Sequence, residues 1–368
     1  MTIKLTKKCG WKKVYINVLD KNHQLLRKDE LKFKEKVVLI NLNLKKEKYF
    51  YLSNEKDYQT EIVIISKNLS EMYLEYNRKK KRYYIYLQSK NKYYNTVETL
   101  YLADEKNLFF REDKSKKIDI LLPNDYNPNK KYGLLLMFDG QNLFDLNNVG
   151  QYTTKNDPYG SWQIDVSLNS LKEKLGKEMI VVGIEHTDIL RTNELLTPSS
   201  FGSLRDDGLF SENEKVGYID YLDAFINKTL LPYIFKKYSI DTNNIGISGS
   251  SMGGLGCHYI GLKNLGKYRF ILCYTPASAL IVDKAWKEFY QKLDFKNNIE
   301  KLPLFYFFQG RGDDLEKILA LGNKKITTNL ISNGYPKKLI KTYLEDSAFH
   351  NEVAWRYAFN YMIYKTLK

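Results

Sequence analysis

GISGSSMGGLG, residues 246–256, decides how this 368-residue chain is read. An apolar run, NIGISG (244–249), leads into it, and a glycine-rich, helix-compatible run leads out. Within it GSSMG (249–253) fits G-x-S-x-G, with Ser251 at the corner between a strand and a helix. The spacing alone is weak, since roughly one chain in ten of this length would hold it by chance at ordinary glycine and serine usage. Its context is what a nucleophile elbow requires, a strand before and a helix after. Glycines leave room at such a sharp turn, where side chains would collide with the neighbouring strand and helix. The helix N-terminus adds a partial positive charge and free N–H groups. The plain reading is a tight turn with an ordinary serine; the sharper one makes Ser251 a nucleophile.

A nucleophilic serine needs a base, and the chain has only four histidines. His23 lies in a different region, and His258 sits two turns along the elbow helix and cannot fold back. His186 follows the apolar run MIVVGI. His350 lies in EDSAFHNEVAW, between the final strand-like run KLIKTYL and a C-terminal helix. In the chain order serine, acid, histidine, the base follows the last strand, so His350 fits. The acid is then expected after PLFYFF, in QGRGDDLEK. Asp313, Asp314 and Glu316 are the candidates, and Asp313 is preferred. The carboxylates not used there would cap the following helix and complement its dipole. Two backbone N–H groups must hold an oxyanion. Met252 supplies one, and Gln141 or Gly140 in DGQNLF (139–144) the other.

Two textures divide the chain. Residues 1–105 hold twelve tyrosines and a net charge of +10 out of the total of +15. Their short alternating runs, KKVYINVL, KVVLINLNL, KYFYLS, TEIVIIS, EMYLEY and RYYIYLQ, predict six or more strands in a small all-β, sandwich-like domain. The polar stretch from Glu105 to Lys117 is the expected boundary. Beyond it, over 106–368, apolar strand-like runs alternate with helical ones near 164–175, 217–237, 252–265, 283–293, 314–333 and 350–366. Continuous apolar strands between helices mean a mostly parallel sheet buried on both faces.

Only nine of the 58 basic residues are Arg. A dispersed lysine excess reads as a solvated surface, and without an Arg-rich stripe or a known module no nucleic-acid partner is expected. An anionic ligand is the minority reading. No apolar run is long enough for a membrane helix, and MTIKLTKKCGWKKVY lacks the apolar core of a signal peptide. Cys9, Cys257 and Cys273 show no CxxC spacing, so free thiols, a cytoplasmic location and no structural metal are expected.

Four blocks together carry a resemblance: YGLLLMFDGQNLFD, VVGIEHTDILRTNELLTP, NIGISGSSMGGLG and AFHNEVAWRYAF. In order and spacing, over about 115–368, they resemble the putative esterase family, which includes esterase D-like, feruloyl and acetyl-xylan, and enterochelin esterases. The resemblance implies an α/β-hydrolase fold with Ser251 as nucleophile and His350 as base. The family acid often falls three residues after the glycine ending its strand, here Gly310, which implies Asp313. Arg191 and Glu194 match a recurring R-x-x-E, read as an ion pair bracing a loop near the pocket. Some relatives carry a β-sandwich before the hydrolase, either a carbohydrate-binding-like module or a siderophore-esterase lid.

The expected function is therefore a serine esterase working through an acyl-enzyme, with no metal or organic cofactor implied. Its substrate is a small-molecule or oligosaccharide ester, either an acetyl or feruloyl sugar ester or a catecholate siderophore lactone. The rival is a non-catalytic binding or scaffold protein on the same fold. Oligomeric state is not legible. With the whole triad beyond residue 105, the N-terminal domain is expected to be removable from the chemistry.

Overall fold

In the first strand Ile3 and Leu5 are buried while Thr2 and Lys4 face solvent, the period of two that a half-buried strand demands. The computed structural model describes residues 1–56, 58–60, 63–64, 71–77, 82–86, 93–94, 96–103, 115–144, 161–187, 190–198, 201 and 216–368. The first eight strands are β1 (Thr2–Lys7), β2 (Tyr15–Leu19), β3 (Leu25–Glu30), β4 (Val37–Asn41), β5 (Tyr49–Ser53), β6 (Val63–Ile64), β7 (Glu71–Asn77) and β8 (Arg82–Tyr86). They form two four-stranded sheets, β4-β1-β7-β8 and β3-β2-β5-β6. Their apolar faces meet around Ile16, Val18, Phe50, Leu52, Met72 and Leu74. The small β domain is present as the alternation predicts. β3 shows no such alternation, because it is an edge strand whose residues are nearly all exposed.

Eight further strands make the large sheet: β9 (Thr96–Ala103), β10 (Ser115–Leu122), β11 (Tyr132–Phe138), β12 (Met179–Ile184), β13 (Ile240–Ser250), β14 (Phe270–Tyr274), β15 (Leu304–Gly310) and β16 (Ile340–Glu345). Their order is β16-β15-β14-β13-β11-β12-β10-β9, with β10 antiparallel to both neighbours and the other pairings parallel. This is the α/β-hydrolase arrangement. The helices are α1 (Ile164–Leu175), α2 (Arg191–Leu195), α3 (Ile219–Phe225), α4 (Leu231–Lys237), α5 (Met252–Lys263), α6 (Asp283–Leu293), α7 (Asp314–Ser332) and α8 (Glu352–Leu367). One face of the sheet is covered by α3 to α7, the other by α1 and α8. Among the described residues no helix is long and apolar enough to cross a membrane.

Two expectations change. β9 lies ahead of the expected boundary at residue 105, yet it pairs with β10 from Thr96↔Leu122 to Ala103↔Ser115. Composition placed it with the Lys- and Tyr-rich segment; hydrogen bonding places it in the large sheet. Residues 104–114, most of the expected boundary stretch, lie outside the described residues. The small domain is also not a loose attachment. In α8, Ala354, Ala358 and Phe359 face the large sheet, while Val353 and Tyr357 join the sandwich core.

Candidate active site

β13 to β16 run parallel, so the loops leaving Ser250, Tyr274, Gly310 and Glu345 gather at one edge of the sheet. Ser251 follows β13 directly and caps α5 with φ 54° and ψ −120°, a conformation an L-residue holds only under constraint. The glycines explain how it is tolerated. A Cβ on Gly249 would stand 2.4 Å from the Gly253 carbonyl oxygen, and one on Gly253 would stand 2.9 Å from Asp139 Oδ2. The Ser251 N–H donates to the Tyr274 carbonyl at 3.0 Å, and its own carbonyl accepts from Ala277 N–H at 2.8 Å. These bonds pin the corner from the neighbouring strand. Met252, the first residue of α5, has no acceptor for its N–H within that helix.

Gln141 lies buried in a short 3-10 turn, Gly140–Asn142, directly after β11. Asp139 before it is held in the left-handed region at φ 57°. Its buried carboxylate takes both arms of Arg191, at 2.6 and 2.8 Å. Burial alone would raise this carboxyl's pKa, but the Arg191 charge and hydrogen bonds, helped by His186 and Lys116, bring it below its ordinary value. Glu194 takes a different partner, the buried Lys116 ammonium, and also accepts from Thr187 N–H at 2.9 Å. The expected Arg191–Glu194 pair is thus two separate braces. The first holds Asp139, at the start of the turn that carries Gln141; the second ties α2 to β10 and to Thr187. Gln141 Oε1 accepts from His186 N–H at 3.4 Å.

The carboxylate at the His350 ring is Glu316 and not the preferred candidate Asp313. His350 Nδ1 lies 2.8 Å from Oε1 of Glu316, and the other oxygen of that carboxylate accepts from Gly310 N–H at 2.8 Å. Glu316 is 0% exposed. Asp313 instead caps α7: one oxygen accepts from Glu316 N–H and the other from His350 N–H, both at 2.8 Å. It fixes the backbone of the histidine rather than its ring. Asp314 is 90% exposed and pairs with Lys317 at 2.8 Å. A carboxylate on Nδ1 selects the tautomer with its proton there, leaving Nε2 as acceptor. Trp355 meets the His350 ring edge-on, with centroids 5.1 Å apart.

The sequence carried a signal for this exchange. D-L-E after Asp313 makes D-x-x-E, the pattern of a helix cap followed one turn later by an acid. His258, set aside above, is a core residue hydrogen-bonded to Ser278 at 2.8 Å and Tyr290 at 2.9 Å. The three cysteines are free thiols.

The family described as "Putative esterase" matches residues 113–365. The chain belongs to this family. It is a carboxylic ester hydrolase. A search of curated proteins found no match. Among solved structures, this esterase resembles the siderophore hydrolase EstA from Aspergillus nidulans at 14% identity and TM-score 0.55, covering 73% of this chain and 94% of that one. The enterobactin and salmochelin hydrolase IroE matches at 14% identity and TM-score 0.51, covering 75% and 96%. A ferulic acid esterase from Anaeromyces mucronatus matches at 18% identity and TM-score 0.50, covering 76% and 96%. At these identities the likeness shows a shared α/β-hydrolase fold.

Proposed function

We propose that this esterase works through Ser251, His350 and Glu316. Ser251 Oγ attacks the ester carbonyl carbon while its proton passes to His350 Nε2. Glu316 holds the Nδ1 proton and stabilises the imidazolium that forms. The Met252 and Gln141 N–H groups receive the oxyanion. The intermediate collapses, the alcohol leaves with the proton from Nε2, and an acyl-enzyme remains. Water, deprotonated by the same nitrogen, then releases the acid. The observation that carries this reading is the buried Glu316 carboxylate 2.8 Å from His350 Nδ1, at the same sheet edge as the strained Ser251.

The substrate classes that fit are an acetyl or feruloyl sugar ester and a catecholate siderophore lactone. Both kinds of activity appear in the names of the similar structures. Hydrolysis of p-nitrophenyl esters, feruloyl esters and a ferric tri-catecholate lactone, measured side by side, separates them. A fluorophosphonate probe tests the nucleophile. We expect it to label Ser251, and Ser251→Ala to remove both labelling and hydrolysis, leaving the residual rate that binding and the oxyanion site supply. Turnover of Ser251→Ala within about tenfold of wild type would refute the assignment.

A further inference from the structure

The loop between β16 and α8, residues 346–351, carries His350 and is gripped from two sides. On the large-sheet side, Gly312 N–H donates to the Ala348 carbonyl at 2.7 Å, and Asp313 and Glu316 hold His350. The other grip comes from the sandwich. Tyr49, on β5, donates its hydroxyl to the Ser347 carbonyl, across 298 residues of chain. The Phe349 ring packs edge-on against His23, with centroids 4.6 Å apart, and against Tyr49 at 5.5 Å. Its underside lies on Gly312, where a Cβ would come 2.7 Å from Phe349 Cδ2.

We propose that the sandwich completes the active site, with Tyr49 and His23 as positioning residues that clasp Ser347 and Phe349 and thereby set His350. The proposal rests on the reading of His350 as the base. Ser347 and Phe349 lie three residues and one residue before His350, so both anchors act on backbone torsions that aim the imidazole. Tyr49 is itself 1% exposed and locked between β2 and β6, so it brings a rigid donor to the loop. Burial pushes its phenol pKa up, with the charges of Glu345 and Asp313 adding to it, so the hydroxyl stays a donor throughout the working range. Reacting groups displaced by about 1 Å lose up to two orders of magnitude in rate, so a clasp of this kind has kinetic weight.

The experiment compares wild-type protein with Tyr49→Phe, Phe349→Leu, His23→Asn and His350→Ala, all in the full chain, on p-nitrophenyl acetate. Tyr49→Phe keeps the ring and removes only the donor. His23→Asn removes a ring while keeping a residue that tolerates the φ of 61° there. We expect Tyr49→Phe to lower kcat about tenfold with KM within about twofold, since the loss is in alignment and not in binding. Phe349→Leu should act likewise, and His23→Asn in the same direction but more weakly. Wild-type kcat in Tyr49→Phe, whatever its thermal midpoint, would overturn the proposal and leave the clasp as structural packing. If Tyr49→Phe does not accumulate folded, Phe349→Leu and His23→Asn decide by the same criterion. His350→Ala keeps the two claims apart. An active His350→Ala sinks the assignment of the base. An inactive one beside unaffected clasp variants sinks only the positioning role.

Discussion

The large sheet and the sandwich bury polar groups to different depths. In the large unit Glu316, His258, Asn323 and Arg356 are all sunk at 0% exposure, each with a polar partner. Among the described residues the sandwich sinks no polar side chain that far: Asn17, hydrogen-bonded to Ser53, keeps 3% exposure, Thr60 5% and Glu47 9%, and its edges expose Leu25, Leu26 and Leu39. A buried polar group is costly unless its partner is already in place. Where a fold tolerates several, it has been shaped around them, and that is where chemistry is to be sought. The sandwich instead supplies shape: one hydroxyl and two rings brought to a loop.

This contrast can be broken most forcefully at Glu316. Glu316→Gln should lower kcat by about 10³–10⁴-fold, because an amide at Nδ1 can favour the wrong tautomer. Asp313→Asn should lose only about tenfold, since it weakens hydrogen bonds to two backbone N–H groups without touching the ring. Steady-state kinetics on p-nitrophenyl acetate measures both, and a dead Asp313→Asn beside an active Glu316→Gln would return the acid to Asp313.

A smaller effect sharpens the comparison through His258. Burial lowers its pKa from 6.5 to about 3. The unfolded chain therefore takes up a proton near pH 6.5 that the folded chain refuses until about pH 3. Stability tied to this residue is present above that window and is lost as the pH falls through it, by about 1.4 kcal/mol per pH unit. His258→Gln should flatten the fall in urea midpoint between pH 7 and 4; an equally steep fall would place the acid sensitivity elsewhere. The smallest effect belongs to Asp314. Asp314→Asn should leave kcat within about twofold and stability within about 0.5 kcal/mol, the usual range for an exposed position away from special features. A large loss there, one residue from Asp313, would mean that exposure is a poor guide in this loop.

Much of this architecture is legible in the sequence. The runs 164–175 and 283–293 coincide with α1 and α6, and the apolar runs MIVVGI, NIGISG, PLFYFF and KLIKTYL each become a strand, because a period and its breakers are local properties. Ser251 and His350 are legible as candidates for a similar reason, through a corner motif and a count of four histidines. Family spacing counts residues and so selects Asp313, whereas the helix that starts at Asp314 turns the Glu316 carboxylate onto the His350 ring. β9 was assigned by composition, which does not report a hydrogen-bonding partner. Nothing periodic links Tyr49 to Ser347, so a contact across that stretch of chain appears only once both domains have folded.

α8 gives the two units a common wall. Because Val353 and Tyr357 close one core while Ala354, Ala358 and Phe359 close the other, neither core is sealed until this segment docks. During synthesis, strands from Thr2 to Glu345 emerge before that wall exists, leaving apolar faces open to chaperones and to one another. Once docked, the helix ties their fates together, so the sandwich and the hydrolase sheet are expected to open in a single thermal transition, which calorimetry would read as one peak.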